Sequence, residues 1–343
     1  MIVNDIDVKT KNGATVGEII FAPLSKIGAQ PKIIDLGARS GMFELPESYT
    51  SEADFCGFEP NKLEYEKLIS RRTDSMLAGG RQPRFKTTKY FPTALWSSEC
   101  ERELCITVGP GACSLSGNAN YKITRNMYLE GRQGSSYQDS VQEVKTKEMV
   151  PCSRLDSLMT SSEIIDYLKV DVEGSELDVF VGAEKLLASG SILLIKTEFL
   201  LTPYYENRVL LGHQHVFLDK MGYRLIDFDL NHLRYLREPS NIPKCIDRRP
   251  VYAGDAFFIL DPDLNDIEPI KKHRLGIILL TFGFKSLAIS MMRAASLLSV
   301  NDLSLVEDAL TVVPMHKKLK AAWMNVPYKV WPVLKKLGLF RVK

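Results

Sequence analysis

Four carboxylates each stand at the end of a short apolar run. Asp35 follows Lys32-Ile33-Ile34, Glu59 follows Phe55-Cys56-Gly57-Phe58, Asp171 follows Leu168-Lys169-Val170, and Glu198 follows Leu193-Leu194-Ile195-Lys196-Thr197. Runs of this kind read as buried parallel strands, and open αβ sheets bind their ligands at the carboxyl ends of such strands. The four acids therefore belong to one edge. Gly37 and Gly41 follow Asp35, as expected where a strand enters a tight turn and then a helix whose start lies against a ligand. Glu59 comes 24 positions after Asp35, close to the offset of roughly 20 residues at which an acid takes both hydroxyls of a ribose. A nicotinamide dinucleotide and S-adenosylmethionine both fit an acid there. The dinucleotide fingerprint requires G-x-G-x-x-G, whereas this turn reads Gly37-Ala38-Arg39-Ser40-Gly41 with Asp35 where the first glycine would fall. A carboxylate at that position suits the amino group of a methionine moiety and would repel a pyrophosphate. S-adenosylmethionine is the favoured cofactor.

Asp171 and Glu173 flank the place where the reactive methyl should project. Strand alternation would point them to the same side as a paired-carboxylate site, with one a base of raised pKa and the other an orienting group. In the competing reading, Glu173 caps the next helix and Asp171 only touches cofactor. Glu198 is a rival base. His213 and His215 open a helix on the substrate side, where His213 could serve as a base near neutral pH or simply cap that helix. Asp171, Glu173 and Glu198 could also hold a divalent ion, but the sequence shows no compact ligand cluster, so no metal is expected.

The elements that must position these residues alternate. Helical patterns at 13–29, 61–72, 177–187 and 212–221 fall between the runs named above and further strands at 85–96, 103–108, 222–228 and 255–260. This order predicts an α/β, doubly wound, Rossmann-like sheet, mostly parallel, with helices on both faces. Residues 109–148 are rich in Gly, Ser, Asn and Gln and read as a lid or an irregular segment. We divide the chain into a catalytic domain at 1–265 and a helical appendage with a basic tail at 266–343. Leu275 to Leu298 is apolar, but Lys285 and Arg293 interrupt it, so a packed helix is expected rather than a membrane span.

Composition narrows the function further. The start of the chain is acidic and lacks a secretory pattern. Six cysteines show no metal spacing and read as reduced thiols of a cytoplasmic protein. After Asp308 there are eight Lys or Arg and no acid; removing them from the 44 basic residues leaves 36 against 42 acids, about −6 for residues 1–308. A net acidic body disfavours nucleic acid. Residues 309–343 set those cations among Trp323, Tyr328, Trp331 and Phe340, which suits peripheral contact with an anionic membrane, at the inner surface. Alternatively, the tail folds back on the acidic body.

With these residues collected, the chain resembles the FkbM-type family of S-adenosylmethionine-dependent methyltransferases. The matching pieces are Ile34-Asp35-Leu36-Gly37-Ala38 with Gly41, Phe58-Glu59-Pro60, Ala94-Leu95, Pro110-Gly111-Ala112-Cys113-Ser114-Leu115, Arg154-Leu155-Asp156-Ser157-Leu158, Leu168-Lys169-Val170-Asp171-Val172-Glu173-Gly174-Ser175-Glu176, and Glu198 followed by Tyr204-Tyr205-Glu206. They run in family order over about 30–262. The resemblance implies a class I methyltransferase sheet with one antiparallel strand. It also implies a cofactor site that includes Asp35, Gly37, Ala38, Gly41, Glu59, Ala94, Leu95 and Asp171. It further implies O-methylation of a hydroxyl on a small-molecule, sugar, glycan or polyketide-like acceptor. Arg39 and Trp96 depart from the family pattern at positions expected beside the cofactor. The other readings are a methyltransferase of another substrate class and a catalytically silent scaffold.

Overall fold

The computed structural model describes residues 5–80, 82–117, 142–206, 209–232 and 250–311. Its strands are β1 Lys32–Leu36, β2 Asp54–Phe58, β3 Thr87–Phe91, β4 Ala94–Leu95, β5 Cys100–Thr107, β6 Val144–Ser153, β7 Ile165–Val170, β8 Ile192–Leu200, β9 Tyr223–His232 and β10 Val251–Leu260. Seven form the main sheet in the order β3-β2-β1-β7-β8-β10-β9. All of its pairings are parallel except those of β10, which runs against both β8 and β9. The order reverses between β1 and β7, and that switch point is where ligands of such sheets bind. The central strands are long apolar runs because both faces are covered: Ile33, Ile34, Leu168, Val170, Leu194 and Ile195 are fully buried.

Helix Val16–Lys26 precedes β1 and opens on a capping box in which Thr15 and Glu18 satisfy each other's backbone N–H groups. Asn61 caps helix Lys62–Ile69 by accepting from Leu63 and Glu64. The glycine turn after β1 is not followed directly by a helix. The next one, Glu47–Thr50, begins only after an irregular stretch. That stretch is held across the sheet by Glu44, whose carboxylate takes the Tyr167 hydroxyl and lies 2.7 Å from the Lys196 ammonium.

Strands β4, β6 and β5 form a separate three-stranded sheet. Its β6 begins at Val144, inside the segment that composition marks as irregular, so the strand replaces the end of the expected lid. Residues 118–141 of that segment lie outside the described residues, as does the basic tail from 312.

The helices Pro269–Thr281, Lys285–Ala295 and Val300–Leu310 follow the last strand. Leu275, Ile278, Leu279, Met292 and Val306 share one hydrophobic core with the main sheet. Arg274 locks the first of these helices to β7. Its Nε donates to Asp166 Oδ1 at 2.8 Å, and Nη2 reaches the carbonyls of Gln30 and Ile164 at 3.0 Å each. These C-terminal helices pack on the sheet. Among the described residues no helix is long and apolar enough to cross a membrane. Five cysteines there, 56, 100, 105, 113 and 152, are free thiols.

Candidate active site

The ends of β1 and β7 run unusually close. A Cβ on Gly37 would stand 1.9 Å from the Asp171 carbonyl oxygen, and Gly37 itself has φ +81°. Only glycine meets both demands. This glycine is therefore required by the neighbouring strand end, before any ligand is considered. The crossing places Asp35 and Asp171 beside Lys169, at 3.4 and 3.0 Å from its ammonium. Burial raises the pKa of the Asp35 carboxyl while Lys169 opposes the shift. Lys169, despite burial that would lower it, is held well above its ordinary pKa by Asp171 and then Asp35. Two carboxylates against one ammonium leave a negative charge, which suits an incoming amino group.

Glu59, at the end of β2, is 6% exposed. Its Oε1 accepts the Asn61 N–H at 2.8 Å. Burial pushes its pKa up to about 7, against the pull of that N–H. A carboxyl this buried calls for further donors, and paired ribose hydroxyls would supply them.

Asp171, Glu173 and Glu198 each bring a carboxylate oxygen within 4.8 Å of the others. Strand alternation does not achieve this, because β7 stops at Val170 and Glu173 sits in a left-handed turn at φ +56°. Burial, followed by the Asp171 charge, pushes Glu173 up to about 8. Glu198 is raised well above the carboxylate range by burial and then by Glu173, and its Oε2 is buried without a hydrogen-bond partner among the described residues. Three oxygens so close could share protons or take a divalent cation.

Asp35, Gly37, Gly41, Glu59, Ala94, Leu95, Asp171 and Glu173 all line one cavity. Ala38 does not. It lies beneath the turn, 3.0 Å from where a Cβ on Gly57 would stand. Glu198 backs onto Glu173 from β8. His213 is outside the cavity, exposed, with its Nδ1 accepting the Leu210 N–H as a helix cap. Arg39 lines the cavity and is anchored by Glu64 at 3.1 Å and Asp74 at 2.9 Å. Trp96 turns away into the small sheet, beneath Arg102 at 3.9 Å from its ring centre. Cys113 and Ser175 also line the cavity. They lie inside matched motifs, but nothing in their residue type marked them for a site.

The methyltransferase FkbM domain profile matches residues 35–225, more than half of the chain. The chain belongs to the FkbM methyltransferase family. No curated protein matches it. Among solved structures, the magnesium protoporphyrin IX methyltransferase of Synechocystis PCC 6803, with bound SAM, aligns at 10% identity and a TM-score of 0.32 over 72% of this chain and 78% of that one. A likeness that slight carries no argument. The FkbM family's cofactor is S-adenosylmethionine, and the cavity's donor set fits it. The acidic surplus at Asp35 and Asp171 and the buried carboxyl of Glu59 both line it.

Proposed function

We propose that the protein is an S-adenosylmethionine-dependent O-methyltransferase whose acceptor is a hydroxyl of a sugar, glycan or polyketide-like molecule. The observation that carries this reading is the group of three carboxylates beside the cavity, with oxygens within 4.8 Å of one another and two of them raised in pKa. S-adenosylmethionine supplies an electrophilic sulfonium methyl. Asp35 would hold the cofactor's amino group and Glu59 its ribose, with Ala94 and Leu95 as the apolar wall.

An alcohol is a weak nucleophile at neutral pH, so a group that takes its proton during attack accelerates the reaction. Glu173, titrating near 8, can both accept a proton and release it. Burial, followed by the Asp171 charge, keeps it protonated to a higher pH than an ordinary carboxyl. Asp171, tied to Lys169, stays in place as an orienting group. The rest of the rate enhancement is positioning.

Calorimetry with S-adenosylmethionine tests the cofactor half. Asp35→Ala and Glu59→Ala should each lose about tenfold or more in affinity, because each removes a charge-assisted hydrogen bond. Unchanged affinity in both folded variants would refute the placement, and no binding by the wild type would favour the scaffold reading. A screen of glycans and lipid-linked saccharides, read by S-adenosylhomocysteine release, tests the acceptor half. Turnover should persist in EDTA. Loss on chelation with recovery in Mg²⁺ would put an ion rather than a proton among the three carboxylates.

A further inference from the structure

Glu173 is a non-glycine residue at φ +56°, a backbone conformation that persists only where neighbours over-determine it. Its neighbours do so at several points. The N–H groups of Val172 and Gly174, on either side, both donate to Glu176 Oε1, at 3.3 and 3.0 Å. The Ser114 hydroxyl donates to the Glu173 carbonyl at 2.6 Å. The Tyr205 ring covers Gly174 so closely that a Cβ there would stand 2.3 Å from Cδ2. These contacts fix the backbone. The side chain is held by the Tyr205 hydroxyl, which donates to Glu173 Oε2. Tyr205 is 2% exposed and lies beyond β8, in a turn none of whose described residues lines the cavity.

A carboxylate that faces Glu198 in a buried pocket has every reason to rotate or to share a proton with it. A donor on Oε2 removes that freedom and leaves Oε1 for an acceptor's proton. We propose that Tyr205 is a positioning residue for methyl transfer: its hydroxyl aims the Glu173 carboxylate into the cavity, while Ser114 fixes the backbone beneath it. This rests on Glu173 being the base. The charged and titratable groups around it are Asp171 in its own turn, Lys169 on β7, Glu176 at the next helix, Glu198 on β8 and Tyr205 itself.

The test is a ¹³C-carboxyl NMR titration of glutamate-labelled protein loaded with S-adenosylhomocysteine, with the Glu173 signal assigned by its loss in Glu173→Gln. No acceptor is needed. A hydrogen bond to the charged form lowers a carboxyl's pKa, so Tyr205→Phe should move the Glu173 midpoint up by about one pH unit. Its kcat on a saccharide acceptor should fall, with cofactor affinity unchanged. A ring that merely fills space predicts no movement, and an unmoved midpoint overturns the proposal. Should Tyr205→Phe fail to fold, fluorotyrosine at 205 replaces it. That stronger donor should lower the midpoint, and no change would again overturn the idea. Turnover retained in Glu173→Gln removes the base reading and the clamp's purpose together. An unmoved midpoint alongside an inactive Glu173→Gln removes only Tyr205.

Discussion

An acid that closes an apolar run has few places to go except the sheet's ligand edge. Asp35, Glu59, Asp171 and Glu173 stand out in the sequence and line the cavity. Tyr205 stands in a matched family piece, but its role does not show, since a tyrosine donating across 32 positions leaves no local pattern, and neither does the left-handed turn at Glu173. His213 looked like a candidate only by residue type, and its ring is occupied in capping a helix. Glu59 allows a sharp prediction. Its pKa is about 7 in the folded protein against 4.5 unperturbed. A raised carboxyl stabilises the fold fully below the unfolded value, and that contribution is lost as pH rises through 7. The cost in ligand-free protein at pH 8 is then on the order of 3 kcal/mol, from the 1.36 kcal/mol that one pKa unit represents. Glu59→Gln imitates the protonated acid. Without cofactor it should melt above wild type at pH 8 and level with it near pH 4.5, while binding S-adenosylmethionine more weakly. Melting curves that stay parallel across this range would show that Glu59 is not a strained buried acid.

Elements divide by how strongly burial marks them. The central strands β1, β2, β7 and β8 are covered on both faces and read as apolar runs, and β10 emerges from Phe257-Phe258-Ile259-Leu260 for the same reason. By contrast, β6 is exposed throughout Lys145–Met149, so no period-two alternation flags it there, and by composition its start belongs to an irregular segment. The C-terminal helices were recognisable as helices, but their depth was not. Nothing local in His273-Arg274 reveals a guanidinium buried against Asp166, with the pair 6% and 1% exposed. Removing one partner of such a pair leaves the other charged and buried, at a cost of about 3–5 kcal/mol. Arg274→Leu should therefore lower the urea midpoint markedly. Asp166→Asn combined with Arg274→Leu should recover part of the loss, because no charge is then stranded. A single variant as stable as wild type would mean that the pair does not hold these helices to the sheet.

At the scale of the whole molecule, charge is unevenly distributed. The body is acidic, near −6 up to Asp308, and all the compensating charge follows as eight Lys or Arg without one acid. Unlike the sheet, this feature is legible only in the sequence, since the tail from 312 lies outside the described residues. Two uses compete for it. Paired with the body's surplus carboxylates, the tail would be a surface strap, and exposed pairs of that kind contribute little each. Placed on an anionic bilayer, each Lys or Arg adds about 1 kcal/mol, and four engaged together would hold the protein reversibly. Trp323, Tyr328, Trp331 and Phe340 favour the second use, because aromatic rings settle where apolar chains meet wet headgroups. It would also bring the cavity to lipid-linked saccharides. Flotation on phosphatidylserine vesicles, comparing the full chain with one ending at Thr311, separates the two uses and leaves helix Val300–Leu310 intact. The full chain should float at low salt and be released as ionic strength rises, since the attraction decays within a Debye length, whereas the shortened chain should stay at the bottom. Equal recovery of both would leave the tail to the body.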